Sequence, residues 1–300
     1  VYIPSIMQAS EEPVSIPIEP PAVSVERARG LGPAVFTHKQ LLAAIRAELP
    51  GWSQSVGPSS AIRFLLERGV ASRFQLRSDA YRSATRYRIG EVSPVQIAAS
   101  LRPRGYLSHA TAVFLHGLTD EAPATHYVNV EQSPKRPPPG ALTQQRLDQA
   151  FGRQQRASNY VFTHDGLSYV VLSGKHTGEF GVVEFATTGP GTVRATDLER
   201  TLVDIVVRPA YASGLYQVRK AFESAAKRVS VERVVETLTA LQHVYPYHQA
   251  LGFLLERAGV SADRLAPLQR LERRWDFYLT HGMKNPVLDP AWRIYHPRGF

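Results

Sequence analysis

The chain has 300 residues, a net charge of +9, 43% hydrophobic and 9% aromatic residues, enough to bury a real core, so global disorder is excluded. It has no Cys, which excludes a disulfide framework, thiolate metal sites and a Cys nucleophile. No apolar run approaches the roughly 20 residues that span a bilayer.

Length predicts two domains at about 100–200 residues each. The N-terminus lacks the basic-then-apolar pattern of a signal peptide, and the expected location is the cytoplasm. Residues 1–26 carry Glu11, Glu12, Glu19 and Glu26, no Lys or Arg, and five prolines between Pro4 and Pro21. This composition predicts an extended or disordered acidic arm. The sign then reverses. Residues 27–90 hold eleven Lys or Arg against Glu48, Glu67 and Asp79, a net +8, which is an electrostatic footprint for a polyanion.

Within that basic block, Thr37 and Gln40 form a capping box ahead of the stripe Leu41, Leu42 and Ile45, and the helix is expected to stop near Leu49-Pro50-Gly51. A polar turn from Ser53 to Gly57 leads to a second helix opened by Pro58-Ser59-Ser60. Ile62, Leu65 and Leu66 face inward, and Gly69 closes it. Alternation follows. Phe74 and Leu76 point one way, and Arg73, Gln75 and Arg77 the other; past a polar tip, Tyr87 and Ile89 face in while Arg86 and Arg88 face out. Helix, turn, helix and basic hairpin outline a winged helix-turn-helix over residues 27–91. A recognition helix must fit the major groove, and Ser59, Ser60 and Arg63 lie off its apolar stripe. Arg73, Gln75, Arg77, Arg86 and Arg88, with Arg82 at the tip, are placed to meet the DNA backbone or minor groove. These nine residues are the expected DNA-binding set.

Ser93-Pro94-Val95-Gln96 starts a helix and with it the second domain, residues 92–300. Ser108 is read as the cap of a helix through Leu115 that stops at Gly117. Strands are expected at 127–130, 160–162, 169–172 and 182–185, with Asp165-Gly166 as a hairpin turn. A Pro-rich loop covers 132–140. Thr196 and Glu199 read as a capping box for a helix through Val207. Further helices are expected at 214–228, 231–241, 247–258 and 264–280, and residues 292–295 as a returning strand. The fold class is therefore α+β: a winged helix followed by a larger mixed domain with a helical C-terminal part.

No catalytic constellation stands out. His109 and His116 are seven apart and read as helix-surface or capping residues, with no H-E-x-x-H spacing anywhere. Asp197, Glu199, Arg200 and Asp204 share one helical stretch, where the capping box accounts for Glu199 and the dipole at the helix start for Asp197. Ser108 lacks a G-x-S-x-G elbow, and the turn Gly189-Pro190-Gly191-Thr192 lacks phosphate-loop spacing. No cofactor or metal is implied.

Two stretches carry a resemblance. Tyr106-Leu107-Ser108-His109-Ala110-Thr111-Ala112-Val113, continuing to His116-Gly117-Leu118, is similar to a segment of AbiEi-type antitoxins. Ala195-Thr196-Asp197-Leu198-Glu199-Arg200-Thr201-Leu202-Val203-Asp204, with Pro209 and Gly214-Leu215, resembles a second segment of the same family. These are transcriptional regulators of type IV abortive-infection toxin–antitoxin systems. The resemblance implies a winged helix that binds inverted repeats in its own promoter, and a C-terminal domain that neutralises a nucleotidyltransferase-type toxin with no need of a stable complex; an inverted repeat takes two copies of the wing unit, side by side on DNA or as a dimer. It implies no catalytic residues. The acidic arm lies outside the family pattern, and Ser213-Gly214 replaces a common Gly-Gly. Two other classes stay open: a DNA-guided nuclease or nucleotidyltransferase-like enzyme, and a winged-helix module for RNA or protein.

Overall fold

The structure, a computed structural model, describes residues 22–49, 57–135, 140–187 and 191–300. Most of the expected acidic arm, the turn from Ser53, the centre of the Pro-rich loop and Gly189-Pro190 lie outside the described residues. Among those described, eleven α-helices and twelve strands in three sheets form a mixed α+β protein with a helical C-terminal region.

The N-terminal head begins with α1 (Ala22–Arg29), so residues 22–26 are helical rather than part of an extended arm. The last prolines stand at 20 and 21. Beyond them, tertiary contact sustains a short helix: Ala28 is fully buried and Val25 and Leu31 pack beside it. β1 (Ala34–Phe36) leads into α2 (His38–Glu48), whose start carries both bonds of the Thr37/Gln40 capping box. α3 (Pro58–Glu67) has Pro at its first position, and β2 (Ala71–Leu76) and β3 (Ala84–Ile89) complete the head. β1 adds to β3, giving the order β1-β3-β2, a third strand the sequence reading lacked. Leu41, Ile45, Ala61, Ile62, Leu65, Tyr87 and Ile89 fill the head core; Leu66 is only partly buried.

The hairpin register corrects the one-sided reading of the wing. Ala71 pairs with Ile89, Arg73 with Tyr87, Phe74 with Arg86 and Leu76 with Ala84. Directly opposed residues share a sheet face. Phe74 and Leu76 therefore lie on the face of Arg86, opposite Tyr87 and Ile89. The Tyr87 face closes on the head core, whereas Leu76, Phe74 and Ala84 pack into a second core with Val95, Ile97, Leu107, Val128 and Phe162. Each face of the hairpin thus contributes to a core. The head is further tied to the body by α4 (Pro94–Ser100), whose Gln96 Nε2 donates to Pro33 O at 3.0 Å.

The body sheet has the order β6-β7-β5-β4-β9-β8, built from β4 (Tyr106–Leu107), β5 (Thr125–Glu131), β6 (Val161–His164), β7 (Leu167–Gly174), β8 (Val182–Ala186) and β9 (Thr192–Thr196). β5/β7 and β4/β9 run parallel and the other pairs antiparallel. The four expected strands are present. β4 is too short to show a period, and β9 mixes Thr and Arg with apolar residues. Asp165 and Gly166 turn the β6–β7 hairpin with φ of 47° and 75°, both positive as a type I′ turn requires.

α5 (Ala110–Leu115) is not capped by Ser108. His109 holds the N-cap position with φ 53° and ψ −131°, and the buried Ser108 Oγ lies 2.8 Å from His109 Nδ1. His109 and His116 accordingly do not form a surface pair: the first is buried, and His116 Nε2 lies 2.8 Å from Thr196 O. α6 (Gln144–Phe151) follows β5 and buries Leu147 and Phe151.

α7 (Leu198–Val207) is the hub of the helical part, with every residue from 199 to 206 buried. Its cap is Asp197, whose carboxylate accepts from the Arg200 amide at 2.8 Å; Thr196 instead bonds Thr201 through their hydroxyls. Glu199 closes no capping box. It accepts from the Ser230 amide at 3.0 Å and pairs with Arg233 at 3.5 Å. A 3-10 turn (Pro209–Ala212) precedes α8 (Leu215–Ala225), α9 (Val231–Leu241), α10 (Tyr247–Arg257) and α11 (Ala262–Gln269). The last helix expected to reach 280 ends at Gln269. Side chains take over the backbone that follows: Gln249 donates to Trp275 O, and Gln144 bonds both the amide and the carbonyl of Asp276. Leu271 and Trp275 still pack on the core, so the apolar spacing is real but served by coil. The chain then forms a small sheet, β10 (Phe277–Tyr278), β11 (Val287–Asp289) and β12 (Ile294–His296), ordered β10-β12-β11. Trp292 lies flat against α10 at Gly252, where a Cβ would stand 2.1 Å from the indole.

Burial pushes the His109 imidazole down to about 3, aided by Arg200 and Arg208, and His243 down to about 4, with Lys175 and Arg200 adding to the effect against Asp204. Both rings are neutral in the fold and protonate in the unfolded chain near the ordinary 6.5. The unfolded state therefore binds more protons as pH falls below 6.5, and stability is lost progressively down through the two folded values. Urea unfolding at pH 7.5 and 5.0 is expected to show a loss of about 2 kcal/mol per ring at the lower pH, before most carboxylates titrate. A flat profile across that window would mean that both rings protonate freely in the fold.

Candidate functional site

The expected site residues divide into three groups. At the start of α3, Ser59, Ser60 and Arg63 are exposed, on the side of the helix away from the buried Ile62 and Leu65. Among the described residues no side chain caps this end, and Pro58 contributes no amide hydrogen, so the Ser59 and Ser60 amides are among the first, unpaired donors of the helix. Such a terminus favours an anion through its amides and dipole.

On β2, Arg73 and Gln75 are exposed on the hairpin face that carries Tyr87, and Arg77 follows them with the same alternation. α3 packs against this strand. Arg73, Gln75 and Arg77 flank a concavity of about 560 Å³ shared with the β6–β7 turn at Asp165 and Gly166. Phe74 closes its floor against the His164 ring, with centroids 4.6 Å apart.

The tip of the β2–β3 hairpin does not project freely. Arg77 and Thr163 exchange backbone bonds at 2.9 and 2.8 Å, so the end of β2 pairs with β6. The Tyr81 hydroxyl donates to Asn159 at 3.1 Å, and the ring stacks on Tyr160 with centroids 4.0 Å apart. Arg102 covers Tyr160 in turn and bonds its hydroxyl. Arg82 remains exposed beside this docked tip.

The two β3 arginines part company. Arg88 is exposed, and its Nε donates to Ser72 Oγ at 2.9 Å across the hairpin. Arg86 is 8% exposed, which removes it from any outward surface. Its guanidinium donates to the carbonyls of Thr85 at 2.8 Å and Ser100 at 2.9 and 3.1 Å, and also reaches Leu101 O at 3.3 Å. Burial and the nearby Arg102 lower its pKa. The alternation of β3 is as expected. The face assigned as solvent is covered by the body, a long-range fact that no local pattern carries.

One grouping escaped the sequence reading. His109, Arg156, Lys175, Arg200, Arg208 and His243 line a common cavity in the body, although they are scattered over more than 130 positions. The motif residues His109, Arg200 and Asp204 were visible in sequence, but not that they meet. Among the described residues, no group of three or more His, Asp or Glu has a metal-ligating arrangement, and no helix is long and apolar enough to cross a membrane.

No family model matches the chain, and no curated protein matches it either. Among solved structures, the crystal structure of RV2827C protein from Mycobacterium tuberculosis is similar, with a TM-score of 0.55 at 19% identity over 91% of this chain and 89% of that one. At this identity the likeness speaks for the fold alone. It spans head and body together.

Arg86→Ala leaves the Ser100 and Leu101 carbonyls without their charged donor and is expected to cost about 2 kcal/mol of stability. Arg88→Ala, at an exposed position, is expected to change stability by less than about 0.5 kcal/mol. Thermal melts of the two variants side by side check the contrast.

Proposed function

We propose that this protein is a DNA-binding autorepressor and antitoxin of the AbiEi type, whose head binds inverted repeats upstream of its own gene. The observation that carries this reading is the exposed polar and basic set of the head. Ser59, Ser60 and Arg63 are exposed at the start of α3, and Arg73, Gln75 and Arg77 are exposed on β2, the strand α3 packs against. The element order α1-β1-α2-α3-β2-β3 is that of a winged helix, with α3 as recognition helix and β2–β3 as wing. Arg82 and Arg88 extend the basic rim; Arg86 does not belong to it and serves the head–body joint.

In this reading Arg63, with Ser59 and Ser60, meets base edges in the major groove, and the α3 amides take a phosphate. Arg73 and Arg77 meet backbone phosphates beside the helix. Because the wing tip is docked on Asn159 and Tyr160, the wing approaches DNA as a fixed surface with the body behind it. An inverted repeat takes two such heads, one on each half-site. The body carries the antitoxic activity against a nucleotidyltransferase-type toxin, as the resemblance of its two motifs implies.

Anisotropy titration of duplex DNA from the gene's upstream region, against scrambled duplex, tests the reading. Six to ten phosphate contacts give a loss of about 10³–10⁵ in affinity between 50 and 200 mM salt. Arg63→Ala is expected to relax the preference for the upstream duplex by about 1–3 kcal/mol, whereas Arg73→Ala and Arg77→Ala weaken both duplexes equally and lower the salt slope. Wild-type binding that ignores salt, or an Arg63→Ala variant with undiminished discrimination, would overturn the assignment.

A further inference from the structure

The cavity in the body has a charge excess that the fold leaves uncompensated. It encloses about 630 Å³, within the range of small-molecule sites. Four cations, Arg156, Lys175, Arg200 and Arg208, line it with one carboxylate, Asp204. Arg200 Nε and Asp204 are paired at 2.8 Å, both nearly buried, so these two charges answer each other. The remaining three cations have no ion-pair partner among the described residues. Arg208 Nη1 donates to Arg156 O at 2.8 Å, and Lys175 Nζ donates to Leu241 O at 2.8 Å and Gln242 O at 2.6 Å. These carbonyls position the two side chains without neutralising them. The Arg156 guanidinium is exposed at the mouth.

Two further features converge on the same space. His243 Nε2 is buried and has no hydrogen-bond partner among the described residues, which is uncommon for a buried polar atom. His109, on the cavity wall, holds a backbone conformation with φ 53° and ψ −131° that a residue with a Cβ rarely adopts. Strain of this kind concentrates at binding and catalytic sites, where the surroundings over-determine it. The cavity thus combines fixed cations, an orphaned imidazole nitrogen and a strained wall residue.

We infer that this cavity binds a small phosphate ester, with Arg156, Lys175 and Arg208 around the phosphate and His243 Nε2 completing its hydrogen bonds. Three unpaired cations match a dianion with several acceptor oxygens better than a single carboxylate. The volume leaves room for the organic part of the ester beside Tyr211, Leu172 and Val207. The site lies in the body, and its argument uses no residue of the proposed DNA surface.

Calorimetric titration of the full chain with inorganic pyrophosphate, ribose 5-phosphate and AMP tests the inference. The esters are expected to bind saturably at one site and more tightly than pyrophosphate. Arg156→Ala and Lys175→Ala, at exposed positions, are each expected to weaken ester binding about tenfold or more. Arg63→Ala is expected to leave ester binding unchanged, which separates this cavity from the basic head. No saturable binding by any of the three compounds would overturn the inference. So would ester affinity untouched by both body variants, loss of binding in Arg63→Ala, or pyrophosphate binding as tightly as the esters.

Discussion

A helix buried on all sides cannot leave a charge unpaired, and α7 buries three charged residues among the eight from 199 to 206. Two of them, Arg200 and Asp204, answer each other within the helix, and the third, Glu199, is answered from α9. Asp204 is held by Arg200, whose Nη1 also donates to Phe180 O at 3.0 Å ahead of β8. Glu199 takes the amide at the start of α9, and Asp197, at the cap, accepts from Arg233 of that same helix at 2.9 Å. The charged positions thus fasten the sheet on one side of α7 to the helices on the other. Removing one partner of a buried pair typically costs about 3–5 kcal/mol, more than the pair contributes over an apolar substitute. The arrangement specifies where α7 sits rather than supplying bulk stability.

The second constraint is the two-faced hairpin. A small head of two principal helices and three strands has little surface to bury by itself. Here β2 and β3 serve two cores at once, Tyr87 and Ile89 in the head and Phe74, Leu76 and Ala84 in the body. Arg86 falls between them, where its long stem crosses a buried layer and its guanidinium finds carbonyls at the end of α4. The head is therefore less a separate domain than one end of a continuous structure.

Local signals in the sequence located most elements, because capping boxes, Pro at helix starts and Asp-Gly turns act within four residues. Thr37/Gln40, Ser93/Gln96 and Asp165-Gly166 all form as their chemistry dictates. Three of the readings that differ share one cause. Arg86, Glu199 and residues 270–280 are each governed by a partner outside their own local pattern, whereas Ser108 turns to its neighbour His109. For Arg86 the partner is α4, for Glu199 it is Ser230, and for the backbone after Gln269 it is Gln144 and Gln249. The candidate surface was largely legible: Ser59, Ser60, Arg63, Arg73, Gln75 and Arg77 stand where alternation and helical period put them. The body cavity was not, since Arg156, Lys175 and His243 carry no mutual spacing.

The short pairing of Arg77 with Thr163 has a consequence for the edge of the body sheet. β6 is the outer strand of a six-stranded sheet, and an open outer strand offers unpaired amides and carbonyls to any other chain. The end of the wing hairpin occupies part of that edge. A body deprived of its head would expose both this strand and the apolar layer under Leu76, the combination that templates intermolecular β-pairing. The β2–β3 hairpin thus also guards part of the sheet's edge.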